Sequence, residues 1–195
     1  MQRASIGFRL HSGWAVAVTV AGSIASPSVV DRRRMQLVKD FTYKFRQPYH
    51  AAAQMPRKEA AEFIKKVKTE ARDLARSGID ALQRRLTRVG YEVVGCGLLL
   101  SSGRELPVLA QILASHALIH TADGELFRDA IRHACTHCRL PVSGIKKKDL
   151  FGVAAKSLRL EAAALKLRLT ELGKPVGAPW TQDEKLAALA AWLSL

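Results

Sequence analysis

The sequence predicts an α/β domain in which three antiparallel strands are followed by alternating helices and two further strands in one mixed sheet. Three observations carry this. Val16, Val18 and Val20 alternate with Ala15, Ala17 and Thr19, the period-2 spacing of a strand, and Ser12-Gly13 supplies a turn between that run and the preceding Ser5-to-His11 run. From residue 56 to residue 90, Ala60, Phe63, Ile64, Val67, Ala71, Leu74, Ala75, Leu82, Leu86 and Val89 recur at threes and fours, the spacing of one long helix. Tyr91–Leu100 (YEVVGCGLLL) is then a short apolar run, as expected of a strand buried on both faces.

The remaining elements follow in order. A third strand is expected over residues 29–38, after Ser26-Pro27-Ser28. Residues 41–55 lack periodicity and carry Pro48, so they read as a loop or short irregular helix rich in aromatics. Pro56 suits a first helical position and Gly90 a C-cap, with a kink expected at Ser77-Gly78. The apolar strand at 91–100 is placed at the sheet's centre and is closed by Ser101-Ser102-Gly103. A brief helix spans 107–116. Thr121 or Asp123 caps another through Leu126, Phe127, Ala130, Ile131, Ala134 and Cys138, and residues 141–145 form a fifth strand. Asp149 caps a helix leading through 158–172. Residues 173–179 are a loop, and Thr181-Gln182-Asp183-Glu184 is a capping box opening the last helix.

At 195 residues and 48% hydrophobic content, a single domain over residues 1–195 with a substantial core is expected. The formal net charge of +14 suits a polyanionic partner, although a solvated basic surface gives the same number. Cys96, Cys135 and Cys138 are too few for a disulfide framework, which points to a reducing, cytoplasmic setting, and the basic composition is read as that of a bacterial-type protein. Arg3 and Arg9 ahead of an apolar stretch, with Ser23-Ile24-Ala25 after it, imitate a signal peptide. The Gly13 turn and the alternating valines argue instead for sheet strands, and no run is long enough to span a bilayer.

The densest group of reactive side chains is His116, His120, Asp123, Glu125, Arg128 and Asp129, a candidate for acid/base chemistry or for a transition metal. His133, Cys135, His137 and Cys138 look like a metal box, yet on one helix His133 and His137 share a face while Cys135 points elsewhere, so no zinc is assigned there. No Gly-rich phosphate loop and no Gly-x-Ser-x-Gly elbow is present. A basic surface is expected from Arg32, Arg33 and Arg34 on the third strand, from Lys65, Lys66, Arg84 and Arg85 on the long helix, and from Lys146, Lys147 and Lys148. Tyr43, Phe45 and Tyr49 are candidate stacking platforms for single-stranded bases.

The element order, together with Gly7-Phe8-Arg9 leading to Gly13-Trp14-Ala15-Val16-Ala17, resembles the RNase H-like superfamily, and most of all its RuvC-type resolvase branch. Lys147-Lys148-Asp149-Leu150-Phe151-Gly152 followed by Ala155-Lys156 is similar to the Lys-and-Gly segment after that branch's fifth strand. Asp183 ahead of Leu186-Ala187-Ala188-Leu189-Ala190-Ala191 resembles its terminal Asp on an Ala-rich helix. The resemblance implies two divalent metals held by carboxylates on the first strand, the fourth strand and the last helix. This chain has Arg9 where the first carboxylate is expected, and on the fourth run only Glu92 at its start and Glu105 beyond its end.

The leading expectation is therefore an RNase H-like domain without the two-metal nuclease activity, binding nucleic acid or a protein partner through Arg9 and the basic residues above, with no cofactor. A second is a hydrolase using His116, His120, Glu125 and Asp129, with Asp183 as a further catalytic candidate; Mg²⁺ or Mn²⁺ enters only if the nuclease chemistry survives. A third is a non-catalytic interaction protein. The sequence names no oligomeric state.

Overall fold

The computed structural model describes residues 1–101 and 105–195. Its sheet has five strands in the order β3-β2-β1-β4-β5, with β1 Gln2–His11, β2 Trp14–Gly22, β3 Pro27–Gln36, β4 Tyr91–Leu100 and β5 Val142–Lys146. The first three form an antiparallel meander. β4 and β5 then run parallel to β1, and β1, not β4, is the central strand. His11 pairs with Trp14 across Ser12-Gly13, and Gly13 takes φ +83°, a conformation that a β-carbon disfavours.

The helices are α1 Tyr43–Arg46, α2 Pro48–Ala52, α3 Arg57–Arg88, α4 Leu109–Leu113, α5 His116–His137, α6 Leu150–Leu158, α7 Ala162–Leu172 and α8 Gln182–Trp192. The alternation along β1 and β2 sorts the two faces. Ile6, Phe8, Leu10, Ala15 and Ala17 pack with Val67, Ile79, Leu82, Phe127 and Ile131 of α3 and α5. Val16, Val18 and Val20 pack on the other side with Leu165, Leu169, Leu189 and Trp192 of α7 and α8. Among the described residues, no helix is long and apolar enough to cross a membrane.

Several local expectations are corrected. α3 is uninterrupted through Ser77-Gly78: a β-carbon at Gly78 would lie 3.2 Å from the Met35 sulfur, so this glycine makes room for β3 instead of bending the helix. α3 starts just after Pro56, which stands at the N-cap. α5 begins at His116, not at Thr121 or Asp123; Thr121 bonds back to the Ala117 carbonyl within the helix and Asp123 is buried. Asp149 precedes α6 but makes no side-chain cap, and the expected 158–172 continuation is broken at Arg159, whose φ is +54°. The Thr181 capping box forms as expected. The Ser102-Gly103 turn lies outside the described residues.

Candidate functional site

Ser5 and Gly7 alternate on the β1 face that meets α8, and Gly97 of β4 lies beside Gly7 in the parallel register. The smallness of these residues lets the helix backbone rest on the sheet. A β-carbon at Gly7 would stand 1.8 Å from the Ala187 carbonyl oxygen and one at Gly97 2.1 Å from that of Ala190, while Ser5 Oγ donates to the Ala191 carbonyl at 2.5 Å. Two and four residues on, the same face of β1 carries Arg9 and His11, level with the first turn of α8. The Asp183 carboxylate there sits 3.3 Å from Arg9 Nε and 2.8 Å from His11 Nε2.

This is the edge at which the parallel strands β1, β4 and β5 end, the usual ligand-bearing edge of an α/β sheet. The His11 ring stacks on Trp14 at 4.2 Å with planes 7° apart. Arg34 Cζ lies 4.2 Å from the Trp14 ring and 4.8 Å from that of Phe41, and Arg46 Cζ lies 4.6 Å from the Phe41 ring. Guanidinium and aromatic side chains thus alternate from Trp14 to Arg46, a cation–π ladder. On the β4 side, Glu125 of α5 accepts from Ser101 Oγ at 2.7 Å, Arg128 at 3.0 Å and Arg132 at 3.2 Å. Burial draws Arg128 below the ordinary guanidinium value; Glu125 opposes this, and the nearby Arg9 and Arg132 reinforce it.

Burial also draws the His11 imidazole below its ordinary value; Asp183 works against that, while Arg9 and Arg34 add to it. The folded chain therefore binds the His11 proton less readily than the unfolded chain, whose histidine titrates near 6.5. His11 contributes stability that is fully present above about pH 6.5 and is lost as pH falls toward its lower folded value. Urea unfolding at about pH 7.5 and about pH 5 is expected to show a loss on acidification that His11→Gln reduces; equal losses in both proteins would refute this assignment.

The candidate residues separate into distinct places. Asp129 pairs with Arg72 at 2.7 Å and Lys68 at 3.6 Å on α3, and shares a cavity lined by Tyr49, Glu125, Leu126 and Arg132. His116 and His120 do not line that cavity, so the four residues expected to act together form two groups. Of the basic set, Arg32 donates to the carbonyls of Gly177, Ala178 and Pro179 and so anchors that loop. Arg33 forms a two-point pair with buried Asp31, which Arg85 also reaches at 2.9 Å, and Arg84 pairs with Asp80. Lys65 and Lys66 line a shallow groove with Glu62, Glu70 and Asp73. Lys146, Lys147 and Lys148 are exposed at the end of β5. Arg9 and Arg34 occupy the strand-end edge. Among the aromatics, Phe45 packs on Phe63 and Tyr49 is half-buried, which leaves Tyr43 exposed. The Cys96 thiol is held well above its ordinary value by its contact with Cys135 and by burial, and His133 and His137 are exposed away from it, so no metal box forms there.

His116 and His120 instead meet His50 of α2. One ring nitrogen from each lies within 4.8 Å of the others. Buried Asp123 accepts from the Tyr49 backbone N–H at 2.7 Å and holds His50 Nδ1 at 2.5 Å. Burial raises the Asp123 carboxyl above its ordinary value, and the hydrogen bonds from Tyr49 and His50 oppose that rise. Sequence reasoning missed His50, which sits in a segment without periodicity. It also missed His11 and Trp14, although their pairing follows from a two-residue turn at Ser12-Gly13.

The donor set at the strand-end edge does not fit a pair of Mg²⁺ ions. Hard cations need convergent oxygen ligands, but Asp183 is engaged by Arg9 and His11, and Glu125 by two arginines. Among the described residues, no group of three carboxylate or imidazole donors forms there. No family model and no curated protein matches the chain. Solved structures do, among them Thermus thermophilus RuvC in complex with a Holliday junction substrate, at TM-score 0.54 and 10% identity, covering 97% of this chain and 90% of that one, and a Thermus thermophilus RuvC structure, at TM-score 0.50 and 12% identity, covering 97% and 91%. With five strands in this order and a terminal helix seated on β1, the chain has an RNase H-like fold of the RuvC type.

Proposed function

We propose that residues 1–195 form one nucleic-acid-binding domain that holds a phosphate backbone along the strand-end edge of its sheet without cleaving it. The observation that carries this reading is the ladder of Trp14, Arg34, Phe41 and Arg46 beside Arg9 and Arg128. Both faces of Trp14 are taken, by His11 and by Arg34, so its ring serves as a rest for a guanidinium more than as a platform for a base. A guanidinium held over a ring by cation–π contact has its fork of N–H donors restrained for phosphate oxygens. The likeness to a RuvC structure titled as a complex with a Holliday junction supports DNA as the ligand class. Arg9 against Asp183 supports binding without two-metal cleavage, since a guanidinium repels the cations that such chemistry needs.

Fluorescence anisotropy with single-stranded, duplex and four-way-junction DNA tests this, run from about 50 mM salt upward, with Mg²⁺ or Mn²⁺ and a gel for cleavage. Binding is expected to weaken steeply with salt and to leave the strands intact. Arg34→Ala is expected to lower the salt slope by about 1 and to weaken all sequences alike, with Trp14→Ala doing the same to a smaller extent. Absence of binding at the lowest salt would sink the reading, and metal-dependent cleavage would sink its non-cleaving half and move the weight to a hydrolase.

A further inference from the structure

We propose that His50, His116 and His120 form a binding site for one divalent transition-metal ion of borderline softness, of which Zn²⁺ is the best fit, with Asp123 as the positioning residue behind His50. The site is separate from the strand-end edge and does not depend on the proposed nucleic-acid function.

Geometry comes first. His116 and His120 lie one turn apart on α5 and therefore share a face. Helix α2 brings His50 against them, with its ring centroid 4.4 Å from that of His120 and 5.6 Å from that of His116. The three rings meet edge to face, and their nitrogens approach within 4.8 Å. Tetrahedral coordination at ~2.0–2.1 Å needs the nitrogens ~3.3 Å apart. His116 and His120 are exposed and neither is held by a side-chain hydrogen bond among the described residues, so rotation of these two rings is the movement by which the site would close on an ion.

The surroundings of His50 point the same way. Asp123 takes Nδ1, which favours the tautomer with the proton there and leaves Nε2 as the ring nitrogen with a free lone pair. A carboxylate behind a histidine is the common supporting arrangement at metal centres, where it orients the ring and raises its basicity. Asp123 is itself fixed by the Tyr49 N–H and has only 7% of its side chain exposed, so the orientation is built into the α2–α5 junction. Three imidazole nitrogens gathered within 4.8 Å of one another can each offer a lone pair, and a shared cation satisfies all three. Imidazole nitrogens select Zn²⁺ and its neighbours over Mg²⁺ and Ca²⁺. Three protein ligands with two of them exposed leave a fourth position open to water or to an anionic ligand.

The test uses the full chain, freed of any polyhistidine tag and stripped with chelator, titrated with Zn²⁺ in calorimetry and with Co²⁺ as an optical probe. One equivalent per chain is expected, with a Co²⁺ spectrum lacking thiolate charge-transfer bands and a raised melting temperature on loading. His120→Ala and His116→Ala are expected to weaken binding by at least about 100-fold, and Asp123→Asn by about 10- to 100-fold; His133→Ala, elsewhere on α5, leaves it unchanged. Both exposed-histidine variants keep the buried faces intact, so misfolding does not mask the result. No uptake by the wild-type chain, unchanged affinity in the His116→Ala/His120→Ala double variant, or thiolate bands from the cysteines would each overturn the proposal.

Discussion

Gly7→Val is expected to prevent α8 from docking and to cost more than about 4 kcal/mol, enough to leave the chain without a stable fold. The contact is with backbone: a β-carbon at Gly7 falls 1.8 Å from the Ala187 carbonyl oxygen and 2.6 Å from the Ala191 nitrogen. No rotamer change relieves it, and lifting the helix exposes Leu186, Leu189 and Trp192, which fill the second core cluster. Gly152→Ala is the control, because a β-carbon there meets nothing within 4 Å and the position is helical. It is expected to stabilise by about 0.5–1 kcal/mol. Urea denaturation followed by near-ultraviolet circular dichroism reads both, and a Gly7→Val protein as stable as wild type would show that α8 is not seated as described.

The second large effect is expected at Asp31. Its side chain is 3% exposed and binds Arg33 at two points while accepting Arg85 from α3 at 2.9 Å, so it joins β3 to the long helix. Removing one partner of a buried ion pair typically costs about 3–5 kcal/mol. Because Arg85 is more than half exposed and regains water, about 2–3 kcal/mol is expected for Asp31→Ala. Arg85→Ala removes only the exposed partner and is expected to cost no more than about 1 kcal/mol. The two variants, compared in urea at neutral pH, separate the buried half of the network from the exposed half; equal losses would contradict the asymmetry in burial.

How much of this was legible beforehand depended on where each residue's partner lies. The β1–β2 hairpin is local: alternating valines and a glycine turn state the register, and with it the pairing of His11 with Trp14. The Thr181 capping box is equally local. Gly78 was not legible, because a glycine in a helix reads as a kink until one knows that Met35 passes over it. Asp123 resembles a helix cap for the same reason; its partners Tyr49 and His50 are more than 70 residues away in sequence, and only the fold brings them together. The basic surface was overcounted because charge is visible in a sequence while pairing is not. Arg32, Arg33, Arg84 and Arg85 each bind a carbonyl or carboxylate of the chain, and Arg9 pairs with Asp183, whereas Arg34 lies against the Trp14 and Phe41 rings at the edge where strands end.

The seating of α8 on glycine and serine separates two properties that usually travel together. The helix is located by its close approach to the bare backbone at Gly7 and Gly97 and by the Ser5 hydroxyl, and on β1 Arg9 lies one step past the last of these contacts. What projects from position 9 reaches α8 only at its first turn, through the Asp183 carboxylate, and takes no part in the close backbone contacts farther along the helix. The close packing that seats the helix and the charge pair at its first turn are thus carried by different residues of one strand, the first by Ser5 and Gly7 and the second by Arg9.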